Sequence, residues 1–202
     1  MTFDLMLTGV GGEGVLTSGA VIAKAAQFEG HFVRGLQLHG LAQRGGTIPA
    51  FVRFGKEEDI YSPATMGTNA DLIMVFEPLE ATRTTYYANK KKTIFIINNW
   101  PHMPVYANLL DLPYPEMIEI EKRIKPFAKE ILVFDTHKIA LETFGIPILG
   151  NTMLIGAAIG SGVLPIKEKN MKKAISETVG HGLEMNLNAF EMGMKLTQES
   201  KI

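Results

Sequence analysis

The hydrophobic positions of the chain form short, dense runs separated by segments with helical spacing. Runs that are apolar throughout, or that alternate apolar and polar positions, are typical of β-strands. They cover residues 3–8, 31–38, 47–54, 70–76, 92–97 and 131–134. The runs at 70–76 (ADLIMVF) and 92–97 (KTIFII) are nearly all apolar. We expect such strands to be parallel and covered on both faces.

Apolar residues at helical spacing predict the helices. These are residues 14–29, 78–89, 116–126, 151–160, 167–179 and 183–198. Gly30 follows the first helix at the usual C-cap position, and Pro78 stands in the first turn of the second. Residues 100–115 contain four prolines and predict an irregular connection. Strands alternating with helices predict an α/β fold of three-layer, Rossmann-like type, with a mainly parallel sheet and a helical C-terminal part.

Composition limits the possible classes of protein. The 202 residues are 46% hydrophobic, which fits a single domain over residues 1–202. The net charge is −1 and no stripe of basic residues is present, which argues against nucleic acid as a partner. Since no apolar run reaches the ~20 residues that span a bilayer, and the N-terminus lacks the features of a signal peptide, we expect no membrane partner and a cytoplasmic location.

The residue types also limit the cofactors. The chain has no cysteine, so it cannot form a disulfide or ligate an iron–sulfur cluster through cysteine. Its five histidines show no tight metal-ligand spacing, and no metal site is predicted.

The sequence Gly9-Val10-Gly11-Gly12-Glu13-Gly14 follows a strand and opens a helix. It matches the G-x-G-x-x-G pattern of a phosphate-binding turn, and Gly9, Gly11, Gly12 and Gly14 become candidate cofactor-binding residues. Three interpretations stay open: a tight corner without ligand, a phosphate-bearing ligand, and contact with a partner subunit.

Two features argue against a dinucleotide at this turn. An acidic residue that holds the ribose is expected about 20 residues further on. Arg34 and Gln37 occupy that region, and Glu29 precedes the strand. The carboxylate of Glu13 lies inside the turn, where it would repel a phosphate.

The second unusual stretch is residues 39–46, HGLAQRGG, after the second strand. Arg44 is a candidate for holding a substrate carboxylate or a phosphate of coenzyme A by bidentate hydrogen bonds. His39 is expected to donate to a carbonyl or phosphate oxygen, and Gln43 to orient either group. Gly45 and Gly46 are candidates for contact with the cofactor. A satisfied polar loop is the alternative for each residue.

Polar residues at two further strand ends are weaker candidates. Glu77 and Asp135 end apolar strands, and each is expected to cap the helix that follows. The pair Asn98-Asn99 is interpreted as a turn at the end of a strand, because no Gly-Asp-Gly precedes it.

The pairing of GVGGEG with HGLAQRGG resembles the gamma-type domain of the 2-oxoacid:ferredoxin oxidoreductases, and most of all the beta chain of the indolepyruvate type. The resemblance extends over nearly the whole chain. Further matches are Tyr61-Ser62-Pro63, Ala70-Asp71, Phe76-Glu77-Pro78-Leu79-Glu80-Ala81, Asn151-Thr152 and Asn188-Ala189-Phe190-Glu191-Met192-Gly193. The family usually has Gln at the position of Glu13 and Met at that of Leu41, so Glu13 weakens the transfer of ligand binding to the turn.

The resemblance implies oxidative decarboxylation of aryl 2-oxoacids, with transfer of the acyl group to coenzyme A and of electrons to ferredoxin. It also implies a large partner subunit that carries thiamine diphosphate, Mg and 4Fe-4S clusters, none of which belongs to this chain. Pyruvate, 2-oxoglutarate and branched-chain 2-oxoacids are alternative substrates. A stand-alone Rossmann nucleotide-binding protein and a purely structural or regulatory module are the alternative functions.

Overall fold

A computed structural model of the protein describes residues 2–38, 46–103 and 112–199, apart from the side chains of 198 and 199. The strands in this part of the chain are β1 (Phe3–Val10), β2 (Phe32–Gln37), β3 (Thr47–Gly55), β4 (Leu72–Val75), β5 (Ile94–Asn98) and β6 (Glu130–Phe134). The helices are α1 (Val15–Phe28), α2 (Glu80–Arg83), α3 (Met117–Ile124), α4 (Thr136–Phe144), α5 (Gly150–Gly160), α6 (Glu168–Thr178) and α7 (Leu183–Glu199). None of these helices is long and apolar enough to cross a membrane.

The strands form one sheet in the order β2-β3-β1-β4-β5-β6. Strands β1, β4, β5 and β6 pair in parallel. Strand β3 is antiparallel to both of its neighbours, β1 and β2. The other strands therefore share one direction, and the predicted mainly parallel sheet is confirmed.

Helices cover both faces of the sheet. Leu5 and Leu7 of β1 point to one face and pack with residues of α1, α5, α6 and α7, including Phe190. Met6 and its neighbours point to the other face, where Ile120 and Ile124 of α3 are fully buried. The alternation of side chains along each strand thus produces two apolar layers, and the predicted three-layer α/β fold with a helical C-terminal part is confirmed.

Two segments differ from the sequence-based prediction. Residues 78–89 do not form one helix, because they divide into α2 and a 3-10 turn at 85–87. The hydroxyl groups of Thr82, Thr84 and Thr85 each donate to the carbonyl three residues earlier, and such bonds compete with regular helix formation. Apolar spacing does not predict helix α4, although a helix after Asp135 is implied by the expected cap and Gly145, with φ 70°, ends it in the left-handed conformation.

Helices α5 and α7 cross at very short distance because glycines lie at the contact. A Cβ added to Gly193 would lie 1.9 Å from the carbonyl oxygen of Met153. A Cβ added to Gly156 would lie 2.1 Å from the carbonyl oxygen of Phe190. The two backbones therefore touch, and this contact fixes α7 against the rest of the domain.

Candidate functional site

The carboxyl ends of β1, β4, β5 and β6 lie along one edge of the sheet, which we call the carboxyl edge. The glycine turn follows β1 at this edge, and Glu77 comes shortly after β4. Because β3 is antiparallel, its first residue, Thr47, pairs with Val10 at the same edge. In α/β proteins this is the edge where ligands bind.

The two glycine motifs meet at the carboxyl edge. The N–H of Gly11 donates to the carbonyl oxygen of Gly46 at 2.8 Å. The fold thus places the end of the second motif beside the first. His39, Gln43, Arg44 and Gly45 lie outside the described residues, and their roles stay predictions.

The conformation of the turn explains several of its glycines. Gly12 and Gly14 have φ angles of 98° and 77°, in the left-handed region that favours glycine. Gly9 has a different role, because a Cβ there would lie 2.8 Å from Cγ2 of Val15. Close packing of strand and helix therefore requires Gly9, and the turn requires Gly12 and Gly14.

The backbone donors of the turn are partly used within the protein. The N–H of Gly11 is bonded to Gly46, and that of Glu13 donates to the carbonyl oxygen of Val10 at 3.2 Å. Both groups are therefore not free to hold a phosphate. A cavity of about 330 Å³ still lies beside the turn, lined by Gly11, Gly12, Gly14, Thr17 and neighbouring apolar residues. The cofactor-binding role of the glycines stays a prediction.

The side chain of Glu13 is paired with a residue from the segment after β5. Its carboxylate lies 3.4 Å from Nδ1 of His102, on the segment after β5. The carbonyl oxygen of Glu13 accepts a hydrogen bond of 2.5 Å from Nδ2 of Asn151, at the start of α5. The turn therefore carries a glutamate that is held by two other segments, and repulsion of a phosphate by Glu13 stays a prediction.

Glu77 is the centre of a buried hydrogen-bond network. One carboxylate oxygen accepts the N–H of Glu80, the first residue of α2, at 3.2 Å, but the N-cap residue of that helix is Leu79 and no side-chain cap is formed there. The other accepts the hydroxyl of Tyr114 and the N–H of His102, the latter at 3.3 Å. The hydroxyl of Tyr114 in turn accepts the N–H of Leu79 at 3.0 Å. The sequence analysis missed Tyr114 and His102, both from the proline-rich connection.

Burial dominates the electrostatics of this network. Desolvation raises the pKa of Glu13, Glu77 and Glu80, and repulsion from neighbouring carboxylates acts in the same direction on Glu13 and Glu80. Burial and the carboxylate of Glu77 also raise the pKa of the Tyr114 hydroxyl. These groups retain protons more readily than free carboxyl and phenol groups do, which is the property of acid–base groups in protein sites.

The end of β6 differs from the prediction. Asp135 accepts a hydrogen bond of 2.9 Å from Nδ2 of Asn99, and no side-chain cap comes from Asp135 itself. Oδ1 of Asn98 instead accepts from Oγ1 of Thr136 at 2.8 Å and from the N–H of His137 at 3.2 Å. The capping role expected of Asp135 is therefore wrong, because the buried Asn98 of the adjacent strand caps α4.

The region where a ribose-binding acid would be expected makes other contacts. Nε of Arg34 donates to the carbonyl oxygen of Ile60 at 3.1 Å, and Nε2 of Gln37 donates to that of Leu16 at 3.4 Å. Glu29 accepts the N–H of Lys167 at 2.8 Å and binds the C-terminal helices. A nicotinamide dinucleotide thus lacks its usual acidic partner at these positions. Among the described residues, no group of three potential metal ligands comes together.

Comparison with known proteins agrees with this architecture. Residues 4–196 match the family described as pyruvate ferredoxin/flavodoxin oxidoreductase. The chain is 35% identical to the indolepyruvate oxidoreductase subunit IorB of Thermococcus kodakarensis, over 98% of this chain and 96% of the relative. It is 30% identical to the pyruvate/ketoisovalerate oxidoreductases common subunit gamma of Pyrococcus abyssi, over 96% of this chain and 97% of that one.

Solved structures share the fold. The pyruvate oxidoreductase subunit PORC of Thermotoga maritima superposes with a TM-score of 0.69 at 20% identity, over 96% of each chain. The 2-oxoglutarate:ferredoxin oxidoreductase of Magnetococcus marinus, with 2-oxoglutarate, coenzyme A and succinyl-CoA bound, gives 0.72 at 20% identity. There the match covers 98% of this chain and 31% of the longer one. The family match over residues 4–196 shows that the chain belongs to the pyruvate ferredoxin/flavodoxin oxidoreductase family.

Proposed function

We propose that the chain is the small subunit of an oxidoreductase that decarboxylates aryl 2-oxoacids such as indolepyruvate, forms the acyl-CoA and reduces ferredoxin. The observation that carries this proposal is the 35% identity, over 98% of the chain, to a protein named indolepyruvate oxidoreductase subunit IorB. The pyruvate/ketoisovalerate gamma subunit, at 30%, is less similar. A 2-oxoacid other than an aryl one is the second candidate for the substrate.

The thiamine diphosphate, its Mg²⁺ and the 4Fe-4S clusters belong to a larger partner subunit in this proposal. Supporting this assignment, the chain has no cysteine to ligate a cluster, and its described residues bring together no metal-ligating group of three. The task of this chain is then to shape the surface where coenzyme A or the oxoacid meets the larger subunit. Cytoplasmic location is part of the proposal.

The carboxyl edge is the proposed contact surface. The cavity of about 330 Å³ beside the glycine turn can accept an uncharged part of coenzyme A. The carboxylate of Glu13 disfavours phosphate there, so the proposal gives the phosphate or the substrate carboxylate to Arg44. His39 and Gln43 orient the same group. Gly11, Gly12, Gly14 and Gly46 form the corner beside the proposed contact, and Gly9 has a packing role. Gly45 is proposed to contact the cofactor.

Co-expression with the larger subunit tests the proposal. We expect the purified complex to convert indolepyruvate and coenzyme A with reduction of ferredoxin, and to use pyruvate and branched-chain 2-oxoacids less well by kcat/KM. The larger subunit alone is expected to be much slower. If it works at the full rate without this chain, the chain is not part of the catalytic unit. If pyruvate is the better substrate, the aryl assignment is wrong.

A variant of Arg44 tests the contact with coenzyme A. Arg44→Ala is expected to raise the KM for coenzyme A at least tenfold, because a charged, bidentate contact is lost. Arg34→Ala is the matched control, since Arg34 lies on β2 and donates to the carbonyl oxygen of Ile60. Its loss is expected to leave that KM unchanged. If Arg44→Ala has the same KM as wild type both for coenzyme A and for the oxoacid, Arg44 binds neither of them.

A further inference from the structure

A cleft of about 700 Å³ lies at the edge of the sheet opposite the carboxyl edge. It lies between the end of α3, the turn before β5 and the start of β6. Four lysines and two glutamates line it: Lys90, Lys122, Lys125, Lys129, Glu121 and Glu130. These six residues carry a net charge of +2, in a chain whose net charge is −1. Positive charge is therefore concentrated in this cleft.

The fold brings these lysines together from segments that are separate in the sequence. Lys122 and Lys125 lie at the end of α3, where a helix C-terminus favours positive charge. That effect is confined to the last turn, so it does not explain Lys90 and Lys129. The N–H of Lys129 donates to the carbonyl oxygen of Thr93 at 2.9 Å. Pairing of β6 with β5 thus places Lys129 beside the turn that carries Lys90.

The lysines of the cleft are not neutralised by carboxylates in the part of the chain that the structure describes. Lys92 lies 3.0 Å from Asp71, but none of the four lining lysines forms an ion pair with a described residue. Glu121 and Lys125 stand four residues apart, a spacing that allows an ion pair on a helix, and still do not form one. A cleft lined mainly by one sign of charge attracts counter-ions, so this cleft favours an anionic ligand.

We propose that this cleft is a binding site for a small organic molecule that carries two or more phosphate groups. Each phosphate group has a charge of about −1.5 to −2 near pH 7, so two of them balance the four lysines. Lysine ammonium groups bind phosphate oxygens as compact charges with three donors each. Ala128 and the half-buried Ile131 also line the cleft and contact the uncharged part of the ligand.

The size of the cleft favours a small molecule over a protein surface. Small-molecule sites are concave and have volumes of roughly 300–1,000 Å³, and this cleft has about 700 Å³. An acidic polypeptide is the other kind of anionic partner, and a titration distinguishes the two. Because the cleft lies at the edge opposite the carboxyl edge, the site does not depend on the proposed oxoacid reaction.

Titration of the full chain with ADP, AMP and adenosine tests the proposal, because the three probes share one uncharged part and differ in their phosphate groups. Exposed charges are least screened at low ionic strength. Under that condition, isothermal titration is expected to give a dissociation constant for ADP on the order of 0.1 mM. AMP is expected to bind about tenfold more weakly, and adenosine is expected not to bind measurably.

Two double variants make the test specific to the cleft. Lys125→Gln with Lys129→Gln removes two lining charges and is expected to weaken ADP binding at least about tenfold. Lys138→Gln with Lys169→Gln is the matched control, since it removes the same charge at two exposed positions outside the cleft, and it is expected to bind ADP as the wild type does. All four lysines are exposed, so both variants should fold.

Several results would overturn the proposal. These are absence of ADP binding at about 10 mM, equal affinity for ADP and either AMP or adenosine, unchanged binding in the cleft variant, and equal loss of binding in the two double variants. If an oligoglutamate peptide displaces ADP and binds more tightly than ADP does, the occupant is an acidic polypeptide and the small-molecule assignment is wrong. Failure of the oxoacid assay would leave the proposal standing.

Discussion

Replacement of Gly193 by alanine tests the glycine contact that joins α5 and α7. The new Cβ would lie 1.9 Å from the carbonyl oxygen of Met153, whereas ordinary contact begins near 3.4 Å. The blocking atom belongs to the backbone of a buried helix, so it cannot rotate away as a side-chain end would. We expect the helices to separate by about 1.5 Å along the crossing, which leaves a gap in a close-packed interior.

The expected cost follows from two opposing effects. Overpacking of this kind costs about 3 kcal/mol, and alanine returns roughly 1 kcal/mol of helix propensity relative to glycine. A net loss of about 2 kcal/mol in the free energy of unfolding should lower Tm by about 4–8 °C for a domain of this size. The same argument applies to Gly156, whose added Cβ meets the carbonyl of Phe190.

Urea unfolding followed by circular dichroism measures this loss, and Gly19→Ala is a matched control. Gly19 also lies in a helix, but its added Cβ would be 3.7 Å from Leu7 and 3.9 Å from Val52, which is ordinary contact. Gly19→Ala should therefore be neutral or more stable by up to about 1 kcal/mol. If Gly193→Ala is as stable as wild type, or behaves like Gly19→Ala, the helices do not touch as described.

Three other predictions concern buried polar groups. The side chain of Asp4 is 3% exposed and accepts hydrogen bonds from Arg53 and Asn69. Asp4→Ala should lower the free energy of unfolding, measured in urea, by about 3–5 kcal/mol, because a buried partner charge is left unpaired. Loss of an exposed ion pair should lower it by less than about 0.5 kcal/mol. Burial lowers the pKa of His137 to about 4 from 6.5. On acidification the unfolded chain therefore binds this proton before the folded chain does, and the free energy of unfolding should fall by about 3 kcal/mol between about pH 6.5 and 4. His137→Leu should remove this pH dependence, and an unchanged pH dependence in the variant would show that His137 is not its source. Burial raises the pKa of Glu13 from its ordinary value of 4.5, so ionisation of Glu13 lowers the free energy of unfolding at higher pH. Glu13→Gln should therefore be at least as stable as wild type at about pH 7.5, and this difference in stability should shrink at about pH 4.5.

The sequence predicts the sheet well because buried strands are dense apolar runs whose pattern does not depend on distant residues. The direction of β3 also has a sequence signal. Nine residues separate β2 from β3, whereas a parallel crossover needs a dozen or more. The prediction of one helix over 78–89 was wrong. Its apolar residues have helical spacing, but that spacing does not show that the threonine hydroxyl groups bond to backbone carbonyls and divide the segment.

The candidate site could be predicted only in part. Glu77 was found because it follows an apolar strand, a local signal. Its partner Tyr114 lies 37 residues further on, in a connection with no regular pattern. Asn151 and Glu13 are 138 residues apart, and Asn151 entered the sequence analysis only through resemblance. Contacts of this kind depend on how the helices, strands and loops pack against each other. The hydrophobic periodicity of a single helix or strand does not predict that packing.

The glycine turn shows why a phosphate-binding pattern alone does not establish a phosphate site. Binding of an anion requires free N–H groups and an empty positive helix end. Here Gly46 and Val10 accept the N–H groups of Gly11 and Glu13, and the carboxyl group of Glu13 lies at the same end. The partial positive charge of α1 would lower the pKa of a carboxyl group there, but burial has the larger effect and raises it. A protonated or amide side chain at this position would remove the repulsion, so Glu13→Gln should strengthen any contact that the turn makes with an anionic part of coenzyme A. If Glu13→Gln leaves the KM for coenzyme A unchanged in the assembled complex, the turn acts only as a corner of the fold.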